Sequence, residues 1–281
     1  MKPEFSVEKT VKERHSVRTY EDRALSAQEK DSLNAYIAGL TNPFSAEVSF
    51  RLLETSAAVN GAKLGTYGVI KGARDFVGAS AADGELALEA LGYSLESLIL
   101  YATSLGLGTC WLGGTFDRSG FASAMNLKKG HLFPAISPVG HPGEKKRARD
   151  TLMRWVAKSD QRKEWSELFF HEGFSKPLAK ADAGDFAFAL EMLRLAPSAV
   201  NKQPWRIVKS RNAYHFYEAK TMKENKLGID IQRVDVGIGA CHFHLAALEK
   251  DLPGKFEKLE NPDIQAPGSM DYLFSWVMNS L

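Results

Sequence analysis

Cysteine is scarce in this sequence, charge of one sign is not in excess, and no apolar run opens the chain. Each shortage excludes a class of protein. Two cysteines in 281 residues, Cys110 and Cys241, cannot staple a disulfide framework. Both sit in apolar segments, the setting of buried reduced thiols. Lysine and arginine number 36 against 34 acidic residues, a formal charge of +2, so the basic excess of a dedicated nucleic-acid binder is missing. The opening segment, MKPEFSVEKTVKERHSVRTY, lacks the apolar core of a signal peptide. Residues 97–116 do run for 20 positions without a charge, but Gly106, Gly108, Gly113 and Gly114 crowd the second half of that run. A buried helix ending in a glycine-rich turn explains it better than a membrane span. The expectation is a cytoplasmic protein with neither nucleic acid nor membrane as a partner.

What is present is a globular composition, 44% hydrophobic and 25% charged, which excludes wholesale disorder and fibrous repeats. Tyr93, Leu95, Leu98, Ala102 and Leu105 form one stripe of a helix expected over 85–105, with Gly106 as its stop. Ile238, Cys241, Leu245 and Leu248 mark a second helix near 234–250. Extended runs are expected at 48–53, 67–70, 75–78, 205–209 and 213–217, the last two joined as a hairpin turning near 210–212. The segment 156–185 divides the chain. The halves echo each other: TSAAVN (55–60) precedes two extended runs and a helix, and APSAVN (196–201) does the same. The pattern predicts an α+β fold of two duplicated lobes, 1–160 and 161–281, each with a sheet flanked by helices.

Four segments can carry chemistry. In Arg14-His15-Ser16-Val17-Arg18, two guanidinium forks flank a hydroxyl, a donor set suited to a phosphate monoester. In Ala196-Pro197-Ser198-Ala199-Val200-Asn201-Lys202-Gln203-Pro204-Trp205, two prolines fix the backbone around Ser198, Asn201 and Gln203, whose side chains both donate and accept. Such a loop suits the edge of a planar heterocycle; Trp205 is expected in the core. The third, Gly106 to Phe116, lets backbone N–H groups approach a ligand at Gly113 and Gly114. It is not a dinucleotide fingerprint, because Trp111 stands where a third glycine would be, and no Walker A pattern occurs. The fourth, Pro138-Val139-Gly140-His141-Pro142, is followed by Lys145, Lys146, Arg147 and Arg149, a basic cluster able to close over the same anion. No metal site is expected: His242 and His244 lie about 200° apart around a helix.

In combination these segments resemble the FMN-dependent nitroreductase family. APSAVNKQPW is similar to that family's Pro-Ser-x-x-Asn-x-Gln-Pro-Trp loop, RHSVR to its phosphate segment, and LGLGTCWLGG and PVGHP to its later signatures. Typical members place all of these in one short chain and build two flavin sites at a homodimer interface. Here the intact phosphate segment lies in the first half and the intact loop in the second. The first-half counterpart, Thr55–Asn60, lacks both prolines and the glutamine, and 171–178 lacks an Arg-x-Ser-x-Arg. The resemblance therefore implies an intrachain pseudo-dimer with one competent site, the form expected of the subgroup called putative TM nitroreductases, and a monomer made self-sufficient by that internal pairing.

Carried over residue by residue, the resemblance implies that Arg14, His15 and Ser16 face the FMN phosphate and ribityl end, and that Arg18 approaches the N1/O2 side of the ring. Pro197, Ser198, Asn201 and Gln203 would come from the opposite lobe, the Gly113–Gly114 backbone would lie near N5 and O4, and Lys145 and Arg149 would reach the phosphate. It further implies one FMN per chain and NAD(P)H as reductant. A small electron acceptor such as a nitroaromatic or quinone would follow in ping-pong order. No side chain is assigned a catalytic role, since water can supply protons. The alternative is a flavin-binding or sensing protein without turnover.

Overall fold

The computed structural model describes residues 2–55, 64–143, 161–225, 227–260 and 262–279. Helices α1 (Val7–Glu13) and α2 (Ala27–Gly39) lead into strands β1 (Val48–Glu54) and β2 (Asp75–Ala82). The long helix α3 (Ala87–Ser104) follows, then β3 (Gly108–Thr109), α4 (Arg118–Ala124), β4 (His131–Leu132) and β5 (Ile136–Gly140). The second half runs α5 (Trp165–Leu168), β6 (Phe169–His171), α6 (Lys180–Ala183), α7 (Ala187–Arg194), β7 (Trp205–Ser210) and β8 (Ala213–Ala219). It closes with α8 (Ile231–Glu249), β9 (Gly254–Glu257) and β10 (Met270–Met278).

Two sheets result, and neither borrows a strand from the other half. The first has the order β1-β2-β5-β3, with β4 also paired to β2. The second has the order β6-β7-β8-β10-β9, antiparallel except for the parallel β6–β7 pair. The expected hairpin is present: Ser210 pairs with Ala213 around a two-residue turn whose Arg211 has φ +51°. Helix α3 stops as expected, with Leu105 at its cap and Gly106 at φ +79°. The run 67–70 is not a strand. Tyr67 and Gly68 adopt φ +49° and +74°, and Val69 N–H donates to the Thr66 carbonyl, so this segment is a tight turn.

The halves meet through their long helices. A Cβ built on Gly92 of α3 would stand 2.0 Å from the carbonyl oxygen of Val234, and one on Gly237 of α8 would stand 2.1 Å from that of Glu89. Each glycine follows its own helix's contact residue by three positions, so the contact is reciprocal, as an isologous two-fold interface requires. Only a residue without a side chain permits so close a backbone approach. Around this crossing one apolar core spans both halves: Phe44 of the first packs on Phe256 and Phe274 of the second, with centroids 5.4 and 4.8 Å apart. The fold is thus α+β and two-lobed, an intrachain pseudo-dimer. A smaller cluster containing Val17, Tyr20, Cys110 and Phe121 lies beneath the N-terminal segment. Cys110 and Cys241 are both buried and not joined in a disulfide, and Trp205 is fully buried.

Candidate functional site

After α1 the chain runs extended along the edge of the first sheet. Val17 N–H donates to the Thr109 carbonyl at 2.8 Å, Lys71 N–H to Arg18 at 2.9 Å, and Tyr20 N–H to Lys71 at 2.8 Å. Val17 is buried against Gly108, where an added Cβ would meet its side chain at 2.8 Å. The period-2 alternation of an extended chain then turns Ser16 and Arg18 the other way. They face a cavity of about 240 Å³ lined by Arg14, His15, Ser16, Arg18, Trp111 and Gly113 from the first half. The second half contributes Arg162, Pro197, Ser198, Val200, Asn201, Ile231, Val234, Asp235 and Ile238. The N-terminal arginine segment and the proline-serine loop, some 180 positions apart in sequence, therefore share one cleft between the lobes.

The loop holds its shape through its own polar groups. Ser198 Oγ accepts from Gln203 N–H at 2.8 Å, and Asn201 N–H donates to the Ser198 carbonyl at 3.0 Å. The Asn201 amide donates to the Gln161 carbonyl at 2.8 Å. Val200, Asn201 and Gln203 all have positive φ, at +49°, +56° and +48°. For a β-branched valine this is a strained conformation, of the kind concentrated at ligand clamps. Val200 is also 64% exposed, so burial does not hold it in place.

Among the residues singled out from sequence, Arg14, His15, Ser16, Arg18, Gly113, Pro197, Ser198 and Asn201 line the cleft. Gln203 and Gly114 do not. Gln203 is buried behind the loop, its Oε1 accepting from Lys163 N–H at 2.8 Å and its amide donating to Asn201. Lys145 and Arg149 lie outside the described residues. His141 is turned away, with Nε2 3.2 Å from Glu29.

Behind the cleft wall sits a buried carboxylate, Glu96 of α3. Its Oε2 accepts from Trp111 Nε1 at 2.6 Å, and its Oε1 lies 2.8 Å from His242 Nε2 of α8 and 3.9 Å from Arg14 Nε. His242 Nδ1 faces the Met192 carbonyl at 3.1 Å, so that nitrogen carries a hydrogen. This network fixes two cleft-lining side chains, Arg14 and Trp111, from residues of both lobes.

Among the cleft residues that the sequence did not single out, three carry polar groups. Arg162 is held by its Nε and Nη2 donating to the Leu195 carbonyl at 3.2 and 3.1 Å, and nothing in Gln161-Arg162-Lys163 marks it out. Trp111 was legible only as an aromatic among glycines. Asp235 had a signal: it stands three residues before Ile238, an acid on the apolar stripe of its helix. Both its oxygens face a single donor, Ala199 N–H, at 3.0 and 3.1 Å. Burial pushes its carboxyl well above the carboxylate range, the Ala199 N–H opposes that, and the Asp230 and Glu218 charges add to it.

The sequence matches, over residues 6–247, the family described as "Putative TM nitroreductase". The chain belongs to this nitroreductase family. Its fold is that of the crystal structure of a "putative nitroreductase" from Thermotoga maritima, at 18% identity and TM-score 0.64, covering 100% of this chain and 97% of that one. A nitroreductase with bound FMN from Bacteroides fragilis aligns at 18% identity and TM-score 0.39, covering 50% of this chain and 90% of its own. A nitroreductase family protein from Clostridium novyi aligns likewise, at 18% and 0.39, over 50% of this chain and 87% of its own. No curated protein sequence matches. Among the described residues no helix is long and apolar enough to cross a membrane, and no cluster of three or more His, Cys, Asp or Glu residues could hold a metal ion.

Proposed function

We propose that the cleft holds one FMN per chain and that the protein is an NAD(P)H-dependent flavin oxidoreductase acting on a small acceptor such as a nitroaromatic or quinone. The observation that carries this reading is the convergence of three guanidinium-bearing residues and a serine on one cleft, beside an apolar wall and a rigid polar loop. An anion-binding end suits a phosphate, since guanidinium forks bind it through paired charge-assisted hydrogen bonds. The Ile231, Val234 and Ile238 wall suits the face of a planar ring, and the loop carrying Ser198 and Asn201 suits its polar edge. The residues present therefore fit a flavin mononucleotide.

In this reading Arg14, His15 and Ser16 hold the phosphate and ribityl end. Arg18 places a cation beside the pyrimidine end of the ring, where negative charge is favoured on reduction. Gly113 offers a backbone N–H near the ring's reactive edge, with Gly114 next to it outside the cleft lining. Pro197, Ser198 and Asn201 reach in from the second lobe, and Gln203 acts by bracing that loop. When bound, FMN would supply two-electron chemistry between NAD(P)H and the acceptor. Because one open face serves both substrates, they alternate in ping-pong order. The fused units are 1–160 and 161–281, a division supported by the reciprocal glycine contacts of α3 and α8.

The test is anaerobic addition of NADH or NADPH to the FMN-loaded protein. Bleaching of the visible flavin band, and its return on adding a quinone, is the expected result. A band that persists under both reductants would leave a flavin-binding protein without turnover.

A further inference from the structure

Asp235 is 2% exposed, yet its residue lines the cleft. Two carboxylate oxygens share one backbone N–H, and among the described residues no cation pairs with it. Its nearest helical neighbours in the wall, Ile231, Val234 and Ile238, are apolar. Two further buried acids, Asp230 and Glu218, act on it with like charge. The cleft arginines Arg14, Arg18 and Arg162 line the same cavity, and Asp235 forms no ion pair with any of them. An ionised carboxylate in such a place meets a large desolvation cost that one N–H cannot offset, whereas the neutral acid keeps that acceptor bond and gains a free O–H.

We propose that Asp235 stands as a neutral carboxyl in the cleft wall, accepting from Ala199 with one oxygen and donating its O–H to an oxygen or ring nitrogen of the heterocycle bound there. The donor role rests on the FMN reading above; the neutral state of the residue does not. It gives the site a hydrogen-bond donor from the second lobe in addition to the Ser198 hydroxyl, whose oxygen accepts from Gln203 N–H.

The experiment pairs infrared spectroscopy with FMN titration on three proteins: wild type, Asp235→Asn and Asp235→Leu. In the ligand-free wild type at pH 7 the protonated-carboxyl stretch should be present, and Asp235→Asn should remove it. Adding FMN should move that stretch to lower frequency, because the O–H then donates. Asp235→Asn keeps an acceptor for Ala199 and an N–H donor, so its affinity for FMN should stay within about threefold of wild type. Asp235→Leu should weaken FMN binding by about tenfold, the value of one hydrogen bond. Absence of the Asp235 stretch in the ligand-free protein overturns the inference, as does a stretch that FMN leaves unmoved. If all three proteins fail to bind FMN, the donor role falls together with the flavin reading, while the ligand-free spectrum still judges the neutral carboxyl by itself.

Discussion

Arg18 and Glu218 show how two charged side chains in this molecule do different work. The Arg18 carbonyl accepts from Lys71 N–H and the residue lines the cleft, so its charge is available to a ligand. Arg18→Ala removes a charge-assisted contact worth about 1.5–3 kcal/mol. FMN affinity should fall roughly ten- to a hundredfold, and the reduction potential of the bound flavin should drop, as read by equilibrium dye titration. An unchanged potential would remove Arg18 from its place. Glu218 is 1% exposed, and burial, with Asp230 adding like charge, raises its carboxyl to about 7. The folded state therefore binds this proton more tightly than the unfolded chain, so its stabilising contribution is complete below the ordinary glutamate range and is lost as pH rises to about 7. Thermal melts between pH 5 and 8 should show stability falling with pH by at most about 1.4 kcal/mol per unit from this group, and Glu218→Gln should flatten that slope. At this scale the sequence disclosed the cleft residues that belong to short motifs, RHSVR and APSAVN. It concealed Arg162 and Asp235, which reach the cleft only because the chain folds back. It also could not tell that Gln203 braces its loop from behind, since a glutamine side chain has the same letters whichever way it points.

The two long helices were the most legible elements, because their apolar stripes persist over several turns. The structure adds the reason why glycine interrupts each stripe. Gly92 and Gly237 sit where the other helix's backbone comes within about 2 Å of any added Cβ. Gly237→Ala should therefore separate the helices rather than gain the usual helix-propensity benefit of alanine. The expected loss is about 2–4 kcal/mol in chemical denaturation, in the range of other severe packing errors, and Gly92→Ala should match it because the contact is reciprocal. The hairpin β7–β8 was legible from alternation. The turn at 67–70 was misread as a strand because alternating residues look alike in both, and only Gly68 marked it. Strand β10 lies between β8 and β9 in its sheet, yet it was missed. The sequence from Lys255 onward mixes charge and proline into the approach to that strand, and the pairing partners that impose its extended form lie about 55 positions earlier at β8.

For the whole molecule, two lobes of like strand order meet within one chain through the reciprocal glycine contacts of α3 and α8. The phosphate-type segment persists in the first lobe and the proline-serine loop in the second, and the fold brings this one complementary set into a common cleft. Duplication was expected from TSAAVN and APSAVN each preceding two strands and a helix. Two strands do follow APSAVN, but β1 comes before position 55 and only β2 lies between TSAAVN and α3. The likeness lies instead in the strand orders β1-β2-β5-β3 and β7-β8-β10-β9. The meeting of the two surviving segments could be expected from the family resemblance, but only the folded chain places them on one cavity. The most direct measurement is therefore the flavin content of the purified, FMN-saturated protein, from its visible absorbance set against protein concentration. The expected result is one FMN per chain, with the yellow band retained through gel filtration. A colourless protein, or two FMN per chain, would contradict it.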